Sequence, residues 1–301
     1  MAIEVLNGGP MTTVQDRGRF GCQKSGIRAC GVMDTDAYEA ACQLCGLSSS
    51  EEDGAAVLEM TLLGGSFRLV GDVWFAITGA DMKAQLNGTP CPSYTLVHGK
   101  TGDVLSFGVA VTGCRTYVAF AGGIDVPKVM GSRSTDVKCS MGGFHGRALQ
   151  KGDVLPLLFA EKISLINDEA SRNKIRQPLY GHSVKVRTIP GPQDDRFTDA
   201  GLKTFFSEAY VVTGDSDRMG CRLSGPVVES KDGTDIISDG IVFGSVQISA
   251  AGLPIILMAD RQTAGGYAKI GTVCTADLPL LAQCRPGDKV RFVRTEVEEL
   301  R

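Results

Sequence analysis

The chain has 301 residues, 43% hydrophobic and 22% charged, with a formal net charge of −3. This composition excludes a disordered polyelectrolyte and argues against a generally basic surface for nucleic acid, and the length suits two domains of ordinary size. No run approaches the roughly 20 apolar residues that would span a bilayer, and Met1 to Phe20 has no basic segment leading into an apolar one, so no secretory leader is read.

The 38 glycines are about twice the usual share. They lie among short Val, Ile and Leu runs without a Gly-X-Y period, which points to many tight turns and a mainly β protein. In chain order, the first element is a helix over 35–47, capped by Asp34. It contains Cys42-Gln-Leu-Cys45, but there is no second cysteine pair, and His98, His145 and His182 stand far apart. A tetrahedral zinc site needs four ligands, so these are read as helix-face thiols and no metal is expected. The ten cysteines as a set read as thiols of a cytoplasmic protein. Strands follow at 57–61, 66–70, 73–78, 103–107 and 115–120. Each is short, β-branched or aromatic, and bounded by Gly, Asp, Asn or Pro. The polar stretch 166–176 marks a boundary. Beyond it come strands at 184–189, 209–213, 245–248, 254–258 and 289–294, with short helices at 194–202 and 277–283.

The halves resemble each other. Thr78-Gly79 aligns with Thr213-Gly214, Met82 with Met219, Leu86 with Leu223 and Gly88 with Gly225; Gly152-Asp153 and Gly287-Asp288 each precede a closing strand. The expected fold is therefore two tandem related β-barrel domains, 1–165 and 177–301, with a few short helices. Barrels hide strand edges economically.

Four segments have a composition that a scaffold does not need. Thr13-Val-Gln-Asp-Arg-Gly-Arg-Phe-Gly21 sets Asp16 beside Arg17 and Arg19, which could clamp an anion or simply form a turn with a solvated ion pair. Gly131-Ser-Arg-Ser-Thr-Asp-Val137, followed by Gly142 and Gly143, offers Arg133, Ser134 and Asp136 to a ligand or to backbone amides. Gly214-Asp-Ser-Asp-Arg-Met-Gly220 adds Asp215, Asp217 and Arg218, which the first half lacks. Its acids do not follow the calcium-loop order. Ala259-Asp-Arg-Gln-Thr-Ala-Gly-Gly-Tyr-Ala-Lys269 is the richest and follows an apolar strand. Arg261 or Lys269 would stabilise an oxyanion, with Asp260 or Tyr267 assisting proton transfer and Gln262 alongside. Gly99-Lys100-Thr101 lacks the upstream glycine of a phosphate loop, since position 94 is Tyr94. No dinucleotide fingerprint or nucleophile elbow occurs. A chain with neither an ATP loop nor a hydrolase triad points to one component of a larger machine.

Taken with Gly31-Val-Met-Asp34, Leu58-Glu-Met-Thr61, Pro190-Gly-Pro-Gln193 and Ser238-Asp-Gly240, these motifs resemble, over nearly the whole chain, the biotin-dependent carboxyltransferase family. The family includes allophanate hydrolase subunit 2, urea amidolyase-related proteins, the C subunit of 5-oxoprolinase and KipA. The resemblance implies cyclophilin-like barrels and ATP-driven opening of 5-oxo-L-proline to L-glutamate by an assembly with KipI-like and LamB/YcsF-like subunits. It implies that the assembly uses ATP and that this chain is inactive alone. Two alternatives stay open: a carboxyltransferase taking a carboxyl group from carrier-bound biotin to urea or a similar amide, and a non-catalytic KipA-like module that antagonises a kinase inhibitor. Asp81-Met82-Lys83-Ala84 is only a partial match to a biotin-accepting sequence, so any biotin is expected on another protein. In place of the family's Ala-Asn-x-Leu-Val-Gly-Asn, this chain has Ala41-Cys-Gln-Leu-Cys-Gly-Leu47. The site implied is Asp217, Arg218, Asp260, Arg261, Gln262, Tyr267 and Lys269 as the catalytic set. Asp16, Arg19, Arg133, Ser134, Asp136, Gly142, Gly143, Gln193 and Gln247 form the substrate-holding set.

Overall fold

A computed structural model describes residues 1–158 and 175–300. The boundary stretch expected at 166–176 lies outside these residues, apart from Ile175 and Arg176. The chain divides into two compact units. One is Met1–Phe20 with Cys30–Tyr180; the other takes Gly21–Ala29 together with the chain from Gly181 onward. A single cut in the chain does not generate that division, because 21–29 belongs with the second unit.

The first unit holds β1 (Ala2–Asn7), β2 (Thr12–Gln15), β3 (Val57–Thr61), β4 (Ser66–Val70), β5 (Val73–Asp81) and β6 (Gln85–Leu86). It continues with β7 (Thr89–Pro90), β8 (Leu96–Gly99), β9 (Val104–Ser106), β10 (Thr112–Phe120) and β11 (Val154–Pro156). They form two sheets, β11-β1-β4-β9-β6-β7 and β2-β3-β10-β5-β8. Side-chain alternation explains their packing. Ile3, Phe67 and Leu105 of the first sheet share one apolar core with Leu58, Phe75, Ile77 and Phe120 of the second. Val57, Ala76, Tyr117 and Ala119, on the opposite face of the second sheet, meet the helix Thr35–Leu44 through Ala37, Tyr38, Ala41 and Cys42. The helix starts where its sequence signal lies: the Asp34 carboxylate accepts the Ala37 amide at 2.9 Å. Cys42 and Cys45 are both buried, and burial pushes the Cys42 thiol up to about 12. None of the ten cysteines forms a disulfide.

The second unit holds β12 (Ser183–Pro190), β13 (Ala209–Val212), β14 (Gly220–Ser224), β15 (Asp235–Gly240) and β16 (Ser245–Ile248). It ends with β17 (Pro254–Leu257), β18 (Ala264–Tyr267), β19 (Lys269–Val273) and β20 (Lys289–Arg294). Seven of these close a barrel, β12-β19-β16-β17-β14-β13-β20, sealed by parallel pairing of β12 with β20. Phe205, from the helix Asp199–Ser207, stacks on Phe292 with centroids 4.2 Å apart. The remaining strands, β15 and β18, pair as a separate ribbon.

The mainly β class holds, with a closed barrel in the second unit and paired sheets in the first. The segments aligned between the halves pair differently: β13 bonds directly to β14, whereas β5 and β6 lie in different sheets.

Candidate functional site

In the first unit, Asp16 is the centre of a hydrogen-bonded knot. Its Oδ1 accepts from the Gly18 amide (2.9 Å), Ser132 Oγ (2.6 Å) and Ser134 Oγ (2.5 Å), and its Oδ2 from the Arg133 amide (2.5 Å). The carboxylate is fully engaged in tying 16–18 to 132–134, so it positions the loop. The neighbouring arginines diverge. Arg17 is ion-paired with Glu39. Arg19 is wholly buried and donates from Nε to the Val129 carbonyl (2.9 Å) and from Nη2 to the Ser134 carbonyl (3.0 Å). Among the described residues, Arg19 Nη1 is buried without a hydrogen-bond partner, an unusual state for a charged group.

Gly142 and Gly143 pack onto this knot. A Cβ on Gly142 would lie 2.8 Å from Arg19 Nη2, and one on Gly143 would lie 1.8 Å from Thr135 Oγ1. Both residues have positive φ, +67° and +54°, so glycine is required twice over. They also line a cavity of about 600 Å³ with Phe144 and His145. Arg133 reaches the Val126 carbonyl (3.2 Å) and lies 3.9 Å from the Asp53 carboxylate. Asp136 is buried and accepts the Cys139 amide at 3.1 Å.

In the second unit, the segment 214–220 forms the β13–β14 turn. Asp217 Oδ1 accepts the amides of Met219 (2.8 Å) and Gly220 (3.0 Å), which shapes that turn. Next to it, Arg218 donates from Nε to Asp260 Oδ2 (2.9 Å) and from Nη2 to Asp260 Oδ1 (2.8 Å). The Asp260 amide also donates to the Arg218 carbonyl at 2.8 Å, so backbone and side chain lock the same two residues. Arg261 follows, with its guanidinium carbon 5.5 Å from the Phe243 ring centroid, a cation–π geometry.

A second polar group surrounds Lys269, which is almost fully buried. Its ammonium donates to Asp239 Oδ2 (2.6 Å) and to the Gly240 carbonyl (3.2 Å). Gln193 accepts the Lys269 amide at 3.1 Å and reaches Asp239 at 3.4 Å. The hydrogen bond and charge of Lys269 hold the Asp239 carboxyl below its usual range.

Gln247, the cross-strand neighbour of Lys269, lies with Gln262 and Tyr267 around a cavity of about 310 Å³ walled by Ile255 and Leu257. Cross-strand register puts Gln247 and Arg222 opposite Ile255, and Gly220 opposite Leu257. These residues therefore share one face, while Val246 and Ile256 are wholly buried on the other. The ribbon supplies the opposite wall through Gly265, Gly266 and Tyr267.

A family model described as "Carboxyltransferase domain, subdomain A and B" matches residues 25–294. The chain belongs to that carboxyltransferase-domain family. It is 37% identical to the 5-oxoprolinase C subunit of Escherichia coli, across 99% of this chain and 92% of that protein. It is 34% identical to the 5-oxoprolinase C subunit of Haemophilus influenzae, across 99% and 92%. The structure of Kluyveromyces lactis urea carboxylase superposes with a TM-score of 0.87 at 28% identity. That match covers 98% of this chain but 27% of the larger protein.

For this carboxyltransferase-domain chain, the expected polar centre resolves within the second unit into an Arg218–Asp260 pair, a Lys269–Asp239–Gln193 group and the cavity residues. Two residues of these groups were not singled out from the sequence. Asp239 stands inside the Ser238-Asp-Gly240 motif, and its role as the partner of Lys269 needs the β15–β18 pairing. Arg222 sits in an ordinary strand, Gly220–Ser224, with no local signal at all. Among the described residues, no group of three or more His, Cys, Asp or Glu side chains is placed to hold a metal ion.

Proposed function

We propose that this chain is one component of an ATP-dependent 5-oxoprolinase-type hydrolase that opens 5-oxo-L-proline to L-glutamate. The observation that carries the reading is the near end-to-end match to proteins named as the C subunit of 5-oxoprolinase. The assembly contains KipI-like and LamB/YcsF-like subunits, works in the cytoplasm, and leaves this chain inactive alone. Water adds across the lactam C–N bond, releasing the amine and a carboxylate, and ATP bound by a partner supplies the driving force. Arg261 and Lys269 stabilise negative charge developing on the lactam oxygen. Tyr267 and Gln262 contact the amide, and the Arg218–Asp260 pair fixes the backbone from which Arg261 projects. Arg19, wholly buried and donating to the Val129 and Ser134 carbonyls, holds the backbone of that loop in the first unit.

The resemblance to K. lactis urea carboxylase favours a second reading, carboxyl transfer from biotin carried on another protein. Lys83, at the partial biotin-acceptor match, lies beyond β5 with its ammonium 2.7 Å from Asp81. The deciding measurement is ATP hydrolysis by the co-purified components with and without 5-oxoproline. ADP and glutamate appearing together, only with all components present, is the expected result. A stable complex that 5-oxoproline does not stimulate would overturn the reading in favour of carboxyl transfer, with urea and carboxybiotin as the next substrates tried.

A further inference from the structure

The cavity between the outer wall of the barrel and the β15–β18 ribbon gathers polar groups that the protein leaves uncommitted. Arg222, Gln247, Gln262 and Tyr267 all line it. Among the described residues, the Arg222 guanidinium, the Gln262 amide and the Tyr267 hydroxyl make no hydrogen bond or ion pair. Gln247 is 6% exposed, and its Nε2 donates to the Tyr267 carbonyl at 3.1 Å. That bond fixes the amide plane and leaves Oε1 as the end without a partner, an acceptor held in place at the cavity wall. An acceptor oriented through the other end of its own amide needs little reorganisation to take an N–H from a ligand.

The walls select for shape. Ile255 and Leu257 give one apolar surface. Opposite them, a Cβ on Gly265 would fall 2.6 Å from both Gln247 Nε2 and Ile241 Cδ1, so the ribbon presents bare backbone there. A volume near 310 Å³ is at the small end of ligand pockets, which run from about 300 to 1,000 Å³.

We propose that this cavity binds a small cyclic amide bearing a carboxylate, with Gln247 Oε1 accepting the ring N–H and Arg222 pairing with the carboxylate. The identity of the ligand class rests on the lactam reading above. A guanidinium without an acidic partner, beside an apolar wall and a fixed amide acceptor, matches the three parts of such a molecule. Arg also holds a carboxylate through two parallel hydrogen bonds. Arg222 is thus a specificity-determining residue, distinct from the Arg218–Asp260 pair.

The test is calorimetric titration of the full-length chain with 5-oxo-L-proline and with 2-pyrrolidone, the same lactam without its carboxylate. The wild type should prefer the acid. Arg222→Gln should weaken 5-oxoproline binding roughly tenfold, the scale of one charge-assisted contact, and leave 2-pyrrolidone unchanged. Arg222→Lys should retain part of the preference. Gln247→Leu should weaken both ligands, and unchanged melting of the Arg222 variants excludes a folding defect. No binding to the wild type, no preference for the acid, or equal loss of both ligands in Arg222→Gln would overturn the site. Turnover of the full assembly separates the two claims. Selective binding without glutamate formation keeps the site and removes the 5-oxoprolinase reading. Glutamate formation by Arg222→Gln at an unchanged KM does the reverse.

Discussion

Arg218 and Asp260 face each other through two parallel hydrogen bonds of 2.9 and 2.8 Å, with side chains only 8% and 12% exposed. They join the β13–β14 turn to the segment that leaves β17, so one ion pair fixes the start of the richest polar stretch in the chain. Removing one partner leaves a buried charge uncompensated, which costs about 3–5 kcal/mol. Asp260→Ala and Arg218→Ala should each show that scale of loss in urea denaturation. The double variant should lose clearly less than the sum, because the two changes delete the same interaction.

The Asp16 knot predicts a different response. Asp16→Asn replaces one acceptor oxygen with an amide NH2 that cannot accept, either from the Arg133 amide on one side or from the Gly18 amide and serine hydroxyls on the other. At about 1–3 kcal/mol for each donor left unsatisfied, the loss should reach a few kcal/mol. Faster amide exchange at 132–134, with β20 unaffected, would locate the effect; uniform acceleration across both units would contradict it.

Two glycines separate conformational strain from close approach. Gly88 has φ +78° with nothing within 4 Å of an added Cβ, whereas Gly143 has φ +54° and Thr135 Oγ1 at 1.8 Å. Gly88→Ala should cost about 1 kcal/mol from the left-handed backbone alone. Gly143→Ala should cost about 1–3 kcal/mol more through overpacking. Thermal melting of the two variants measures the difference.

The Asp239–Lys269 contact predicts an acid-side effect. A depressed folded-state pKa contributes stability that is present above the unfolded value, about 3.9, and is lost as pH falls through the folded value. Asp239→Asn should therefore be less stable than the wild type at neutral pH, and the gap should close below about pH 4. Denaturation curves across pH 2–7 test this; a gap that widens on acidification would refute the pairing.

Cys42 offers a chemical check on helix burial. With its thiol pushed up to about 12 and its side chain buried, the reactive thiolate is scarce at pH 8. Iodoacetamide should leave Cys42 unlabelled in the native chain and label it fully in urea, as read by peptide mass mapping.

Several elements were legible because their signals are local. β3, β4, β16 and β20 coincide with the expected strands, being short β-branched runs between turn residues. Asp34 caps its helix as the sequence indicates. The expected helix over 194–202 instead becomes a 3-10 turn, Asp194–Arg196, followed by a helix Asp199–Ser207 capped by Thr198. A hydroxyl that accepts the Gly201 amide at 3.0 Å competes with propensity there and wins. Strands β2, β14, β18 and β19 are polar or contain glycine and carry little periodic signal, whereas β1, Ala-Ile-Glu-Val-Leu-Asn, alternates and its signal was there to be read.

By itself, then, the amino-acid order determined the mainly β class, the family, and the segments where charge exceeds what a scaffold needs. Tertiary structure decided which charges meet. Asp16 is joined to Ser132, Ser134 and Arg133 across more than a hundred residues of chain. Lys269 finds Asp239 only because β15 and β18 pair, and Arg222 lines a cavity only because the ribbon provides a wall opposite its strand. The physical reason is range. Capping, alternation and turn chemistry act over a few neighbouring residues, whereas ion pairing and enclosure depend on strand register between segments that only folding brings together.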